Sequence, residues 1–253
     1  MRRRGAALAV AALLLAACGG EERRSGPPPI VTEQVGRGAQ TAWVIRQDVD
    51  RPQPVVIFLH GWGATLPRVY RPWLDHLARR GNAVIYPRYQ DSFLTPPAQA
   101  LGNALAGIRL ALRAFEPQPG SLVVTGHSAG GSLSADYAAT ATAAGLPAPR
   151  AIFAMYPGRA LDDGGPRIPE IDPALIPADT EVVALAGSRD VVVGSRVARR
   201  IVSGATRVPR SRRRFVLVRD RALSDHLGPQ RATPAARAYF WRRLDALIER
   251  ARR

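Results

Sequence analysis

Beyond residue 40 the chain alternates between short, unbroken apolar runs and longer stretches in which apolar and charged positions mix. Val55-Val56-Ile57-Phe58-Leu59 and Val182-Val183-Ala184-Leu185-Ala186 are examples of the runs. A short apolar run without polar alternation suits a strand buried on both faces, as in a parallel sheet covered by helices. Strands are therefore predicted near 41–46, 55–60, 82–87, 121–126, 150–156, 181–187 and 214–219. Helices are predicted near 67–80, 96–115, 129–144, 194–203 and 231–251. This alternation argues for an α/β fold, a mostly parallel sheet flanked by helices. Residues 157–180 are rich in Pro, Gly and Asp and read as a loop, so little or no cap domain is expected and the strand ends stay open.

One strand-to-helix junction carries chemistry. The run Ser121-Leu122-Val123-Val124-Thr125 leads into Gly126-His127-Ser128-Ala129-Gly130, and small, helix-compatible residues follow. A G-x-S-x-G pentapeptide in that context is a nucleophile elbow, a sharp turn that lifts the serine hydroxyl clear of the sheet. The glycines keep side chains out of the way where strand and helix approach closely. Taken alone, the pentapeptide also fits a glycine-rich turn; its context favours Ser128 as a nucleophile.

A serine hydroxyl needs a base, and the base needs an orienting carboxylate. The four histidines are His60, His76, His127 and His226. With a triad in the order serine, acid, histidine, only His226 lies far enough along the chain, in a loop after the strand-like Phe215-Val216-Leu217-Val218. His76 falls in a predicted helix, and His127 adjoins the nucleophile and points the wrong way to serve it. The acid is expected after the next-to-last strand, which selects Asp190; Asp220 is the runner-up, and Asp225 is too close to His226 in sequence. Asp190 also fits a turn residue or a helix N-cap.

Upstream, the strand 55–60 runs into His60-Gly61-Trp62-Gly63. A glycine-flanked turn there offers a backbone donor to the negative oxygen that forms when an ester carbonyl is attacked. The expected oxyanion hole pairs the Trp62 N–H with the Ala129 N–H, while His60 holds the turn. Trp62, Leu66, Tyr70, Tyr89, Phe93, Met155 and Tyr156 fall near predicted strand ends and fit either a pocket lining or core packing.

Together, His60-Gly61-Trp62-Gly63, Gly126-His127-Ser128-Ala129-Gly130, Gly187-Ser188-Arg189-Asp190 and the His226 loop resemble the α/β-hydrolase superfamily over about residues 41–250. The resemblance implies a sheet with helices on both faces and, most often, ester hydrolysis through a Ser-Asp-His triad without a cofactor. It does not specify the substrate. The turn departs from the His-Gly-Gly-Gly form of one lipase and esterase branch. The same triad would serve acyl transfer or thioester cleavage, and a non-catalytic envelope binding protein on the same scaffold is the alternative from another class.

The N-terminus changes the picture of location. Arg2-Arg3-Arg4 precedes an apolar run over 6–17 that is too short to span a bilayer but suits a signal peptide. It ends in Leu15-Ala16-Ala17-Cys18, which resembles a bacterial lipobox, and Cys18 is the single cysteine. An ordinary secretory signal with an incidental cysteine is the plainer alternative. Residues 1–18 are thus read as a lipoprotein signal, 19–38 as a flexible tether and 39–253 as the catalytic domain. The expected address is the bacterial cell envelope, with Cys18 as the membrane anchor. Without a second cysteine, the fold rests on its core alone.

The charge balance is 36 basic against 20 acidic residues, a net +16. Such an excess suits an anionic partner, but no aromatic platform or nucleic-acid motif accompanies it, so no nucleic acid is expected. The arginine runs at 210–214 and 250–253 read as solvated surface. The scattered histidines form no metal-ligand spacing, and no phosphate-cradling glycine pattern is present.

Overall fold

The computed structural model describes residues 26–160 and 167–253. The predicted signal segment 1–18, Cys18 and the start of the tether lie outside them. Eight strands form one sheet: β1 (Ile30–Val35), β2 (Ala42–Gln47), β3 (Val55–Leu59), β4 (Ala83–Pro87), β5 (Val123–His127), β6 (Ala151–Met155), β7 (Glu181–Gly187) and β8 (Arg213–Val218), in the order β1-β2-β4-β3-β5-β6-β7-β8. From β4 through β8 neighbouring strands are parallel; β1 and β2 add antiparallel pairs at one edge. The strands β3, β4, β5 and β6 are buried along their whole length, which is why their sequences show no polar alternation.

Successive side chains of a strand point to opposite faces, and the two cores follow that period. Ile57 and Leu59 pack on one face under α2 (Ala100–Ala111), α3 (Ala129–Thr140) and α4 (Arg196–Gly204). Val56 and Phe58 pack on the other, under α1 (Arg71–Arg79) and the C-terminal helix. That helix begins as α5 (Pro234–Ala236), passes through a π-helical turn at Arg237–Trp241 and ends as α6 (Arg242–Ala251). Its N-terminus is fixed by Thr233, whose side chain accepts from the Ala236 N–H. On α6, Leu244, Leu247, Ile248 and Ala251 form the buried stripe of an amphipathic helix.

The helix α3 differs, since residues 129–138 are all buried. Small side chains let it lie tight against the sheet: a Cβ on Gly131 would come within 2.9 Å of the Met155 carbonyl oxygen.

One boundary requires correction. The tether was expected to run to residue 38, yet Ile30–Val35 is an edge strand paired along its length with β2. Ile30, Val31, Thr32 and Val35 are β-branched and suit a pleated edge; the exposed Thr32, Glu33 and Gln34 hid the strand from a search for apolar runs. The sheet therefore starts nine residues before the expected domain boundary at 39. Among the described residues the 157–180 region holds only a 3₁₀ turn at Pro173–Leu175, and no large cap domain occurs there. No described helix is long and apolar enough to cross a membrane.

Candidate active site

Ser128 sits between β5 and α3 with φ 57° and ψ −121°. A positive φ in a non-glycine residue is a strained conformation costing about 1–3 kcal/mol, held here by its surroundings. The Ser128 N–H donates to the Met155 carbonyl at 3.0 Å, and its own carbonyl accepts from the Gly131, Ser132 and Gly158 N–H groups. The flanking glycines are sterically required: a Cβ on Gly126 would lie 2.3 Å from the Gly130 oxygen, and one on Gly130 would lie 2.1 Å from the Leu59 oxygen.

The loop after β8 brings His226 to the serine, with Nε2 at 3.0 Å from Ser128 Oγ. Its Nδ1 lies 2.9 Å from Asp190 Oδ2, in the loop after β7. The Asp190 side chain is fully buried, and its other oxygen accepts from the Val192 and Val193 N–H groups at 3.0 and 3.1 Å. Asp190 is thus both a turn aspartate and the partner of His226. The two rivals are occupied elsewhere. Asp220 accepts from Ala222 N–H in its own turn, and Asp225 pairs with Arg231 at 2.8 Å, which holds its carboxyl below the usual range.

The turn after β3 lies against Ser128: a Cβ on Gly61 would be 3.5 Å from Ser128 Cβ. Its donors are mostly engaged. Gly61 N–H donates to Tyr70 Oη at 3.2 Å, Gly63 N–H to Gln90 Oε1 at 2.7 Å, and Gly130 N–H to the His60 carbonyl at 2.9 Å. The Trp62 and Ala129 N–H groups have no partner among the described residues, so the turn and the start of α3 each keep one donor free. His60 holds the turn from beneath, its ring stacked on Tyr89 with centroids 4.0 Å apart and its nitrogens facing the Gly61 and Arg88 carbonyls. Burial pushes its pKa down to about 4, against the opposite pull of those two carbonyls.

His127 takes part in a chain of hydrogen bonds that the sequence did not suggest. Tyr70 Oη accepts from Gly61 N–H and donates to His127 Nδ1 at 2.9 Å, and His127 Nε2 donates to the His226 carbonyl at 2.8 Å. The chain joins the turn after β3 to the loop that carries His226. Burial, and then the neighbouring His226, push the His127 pKa down to about 3, which keeps the ring neutral and its two nitrogens in fixed roles. No sequence signal links Tyr70 to His127 across 57 positions. A second unforeseen element is the buried pair of Arg159 and Asp136, bidentate at 2.8 and 2.9 Å, which ties the segment after β6 to α3. Burial raises the Asp136 pKa even beside Arg159.

Of the aromatic and apolar candidates for a pocket, Tyr70, Tyr89, Met155 and Tyr156 are core residues. Tyr156 donates its hydroxyl to the Leu223 carbonyl at 2.7 Å and so braces the His226 loop. Leu66 and Phe93 are exposed. His76 is part-buried and pairs with Asp245 at 2.9 Å. Among the described residues no cluster of His, Cys, Asp or Glu could hold a metal ion. A cleft of about 870 Å³ adjoins the Asp190 loop, lined in part by Gly158, Val191, Val192, Val193 and Arg196.

Residues 56–189, more than half of the chain, match a family model described as the alpha/beta hydrolase fold. No curated protein sequence matches the chain significantly. Several solved structures share its architecture. Carboxyl esterase 2 of the mycorrhizal fungus Tuber melanosporum superposes with a TM-score of 0.66 at 16% identity, over 92% of this chain and 89% of that one. An esterase from the fungus Rhizomucor miehei gives a TM-score of 0.66 at 16% identity, over 90% and 84% of the two chains. An esterase of the bacterial hormone-sensitive lipase family gives 0.65 at 19% identity, over 89% and 86%.

Proposed function

The chain belongs to the α/β-hydrolase family, and from that premise we propose that it is a serine hydrolase that cleaves carboxylic esters through an acyl-enzyme. The observation that carries this reading is the line of contacts from Asp190 through His226 to Ser128, at 2.9 and 3.0 Å, on a serine held in a strained elbow. In this reading Ser128 Oγ attacks the ester carbonyl while His226 Nε2 takes its proton. Asp190 accepts from Nδ1–H, fixing the tautomer and stabilising the imidazolium that forms. The oxyanion is met by the Trp62 and Ala129 N–H groups; one such donor is worth about 2.7–4 kcal/mol. Collapse expels the alcohol, which receives the proton from His226. Water, deprotonated by His226, then attacks the acyl group; as the acid leaves, His226 returns that proton to Ser128 Oγ and the serine is free again. No cofactor enters these steps.

The substrate is an ester, small or lipid-derived. On the sequence of residues 1–18 alone, the enzyme is proposed to be lipid-anchored through Cys18 at the bacterial cell envelope. A panel of p-nitrophenyl esters of increasing acyl length tests the activity, with Ser128→Ala as the control. Hydrolysis that Ser128→Ala abolishes supports the reading, and hydrolysis that survives the substitution overturns it.

A further inference from the structure

The exposed apolar residues are not scattered. Nine large hydrophobic side chains are exposed among the described residues, and seven of them lie on four loops. Leu66 and Val69 follow β3, and Phe93 and Leu94 follow β4; Val191 and Val192 directly follow Asp190, and Leu227 directly follows His226. The strands β3, β4, β7 and β8 belong to the parallel part of the sheet, so these loops leave it at one edge, the edge that carries Ser128. Leu94 is 90% exposed, Val191 95% and Phe93 69%. The Phe93 ring lies over Gly63, beside Trp62 in the candidate oxyanion turn, where a Cβ would meet it at 2.5 Å. Water-facing apolar side chains concentrated on the loops at one end of the strands mark an interaction site.

The same loops are basic. Arg68, Arg189, Arg219 and Arg221 are exposed on them. Of the acids there, Asp91 pairs with Arg88, Asp225 pairs with Arg231, and Asp190 is buried, which leaves Asp220 as the one exposed acid without an ion pair among the described residues. The bias extends along the chain: residues 189–253 hold 18 arginines against 5 acidic residues, whereas residues 26–188 hold 13 of each. The occupant that suits this rim is therefore apolar within and anionic at its surface. It must also leave Ser128 open to substrate. A folded partner or a second copy seated on the rim would cover the serine, whereas a lipid layer that carries the ester would deliver it.

We propose that the rim around Ser128 docks on an anionic lipid layer and that the enzyme draws its ester substrate from that layer. Phe93, Leu94, Val191 and Leu227 enter the acyl region, and the arginines meet the headgroups, as amphipathic elements do at a bilayer surface. The proposal rests on the reading of Ser128 as an ester-hydrolysing nucleophile; the bonds broken and formed are those given above.

The test uses the full chain carrying Cys18→Ser, so that no lipid on that cysteine contributes. It is compared with the same chain bearing Leu94→Asp or, on a separate loop, Leu66→Asp. Three rates are measured: on dissolved p-nitrophenyl acetate, and on p-nitrophenyl laurate carried in phosphatidylglycerol or in phosphatidylcholine vesicles. Expected are near-equal rates for all proteins on the acetate, faster turnover in phosphatidylglycerol than in phosphatidylcholine, and a loss of about tenfold or more on the vesicle substrate in either variant, given the apolar surface each gives up. Equal vesicle rates in parent and variants overturn the proposal. So does a concentration-dependent dimer that Leu94→Asp dissolves, which assigns the rim to a second copy. If the acetate is not hydrolysed at all, it is the reading of Ser128 that fails, a different outcome from hydrolysis of the acetate without any response to the rim.

Discussion

Tyr70→Phe isolates the hydrogen-bond chain behind the site, because it removes one oxygen and keeps the ring that packs on Phe58 at 4.9 Å between centroids. The lost hydroxyl is the acceptor for Gly61 N–H and the donor to His127 Nδ1. His127 Nδ1 retains Gln230 Nε2 at 3.4 Å as a substitute donor, whereas Gly61 N–H is left buried without an acceptor. One unsatisfied buried donor costs about 1–3 kcal/mol, so the variant should lose about 2 kcal/mol of stability. At roughly 2–4 °C per kcal/mol for a chain of this size, its Tm should fall by about 4–8 °C. The effect on turnover is separate. The chain ends on the His226 carbonyl and begins on the turn that presents Trp62, so slack in it misplaces both the base and an oxyanion donor. Misplacement of about 1 Å can cost about a hundredfold; kcat should fall by at least about tenfold, with KM within about twofold. Urea unfolding and steady-state kinetics on p-nitrophenyl acetate, both well below the Tm, measure the two effects. A variant that loses the stability yet keeps its kcat would show that the chain holds the fold and positions nothing.

Further predictions concern the acid, the pH response, the buried ion pair and the anchor. Asp190→Asn should reduce kcat by orders of magnitude while Asp220→Asn leaves it within about twofold, because only Asp190 meets His226; the reverse order would reassign the acid. His127 and His60 have pKa values depressed from 6.5 to about 3 and about 4. Their contribution is therefore complete above pH 6.5 and is lost as pH falls, because the unfolded chain takes up protons that the fold excludes. Between pH 6 and pH 4.5 unfolding free energy should drop by up to about 2.7 kcal/mol per pH unit, twice the slope of about 1.4 for one proton, and urea midpoints that stay flat over that range would contradict it. Arg159→Ala should cost about 3–5 kcal/mol by stranding the buried Asp136 carboxylate, and Asp136→Asn in the same background should recover part of it; a double-mutant cycle in urea reads both. Cys18→Ser should move the protein out of a membrane fraction washed in high salt, and equal release of parent and variant would leave charge as the tether.

Much of the frame was legible in the sequence because a parallel sheet buried on both faces leaves apolar runs that need no tertiary information to see. The strand β1 was not, since an edge strand has one wet side and Ile30–Val35 follows a proline run that reads as spacer. The elbow was visible because its glycines answer a local steric demand, evident in the backbone atoms that a Cβ at Gly126 or Gly130 would strike. The choice between Asp190 and Asp220 was not settled by pattern. Both end strands, and only the folded path shows one carboxylate under His226 and the other closing its own turn. Tyr70 illustrates the remaining limit: an aromatic residue at the start of a helix reads as core, and its ring is core, but the work of its hydroxyl depends on two partners distant in sequence.

Covalent labelling by a fluorophosphonate tests Ser128 itself, because the reagent reacts with a serine only when a neighbouring base and an oxyanion site activate it. The full chain is treated, digested and analysed by mass spectrometry. Stoichiometric modification of the peptide that contains Ser128 is expected, with labelling lost in Ser128→Ala and strongly slowed in His226→Ala. An unmodified Ser128 in folded protein, or labelling that persists in Ser128→Ala, would contradict the assignment of Ser128 as nucleophile.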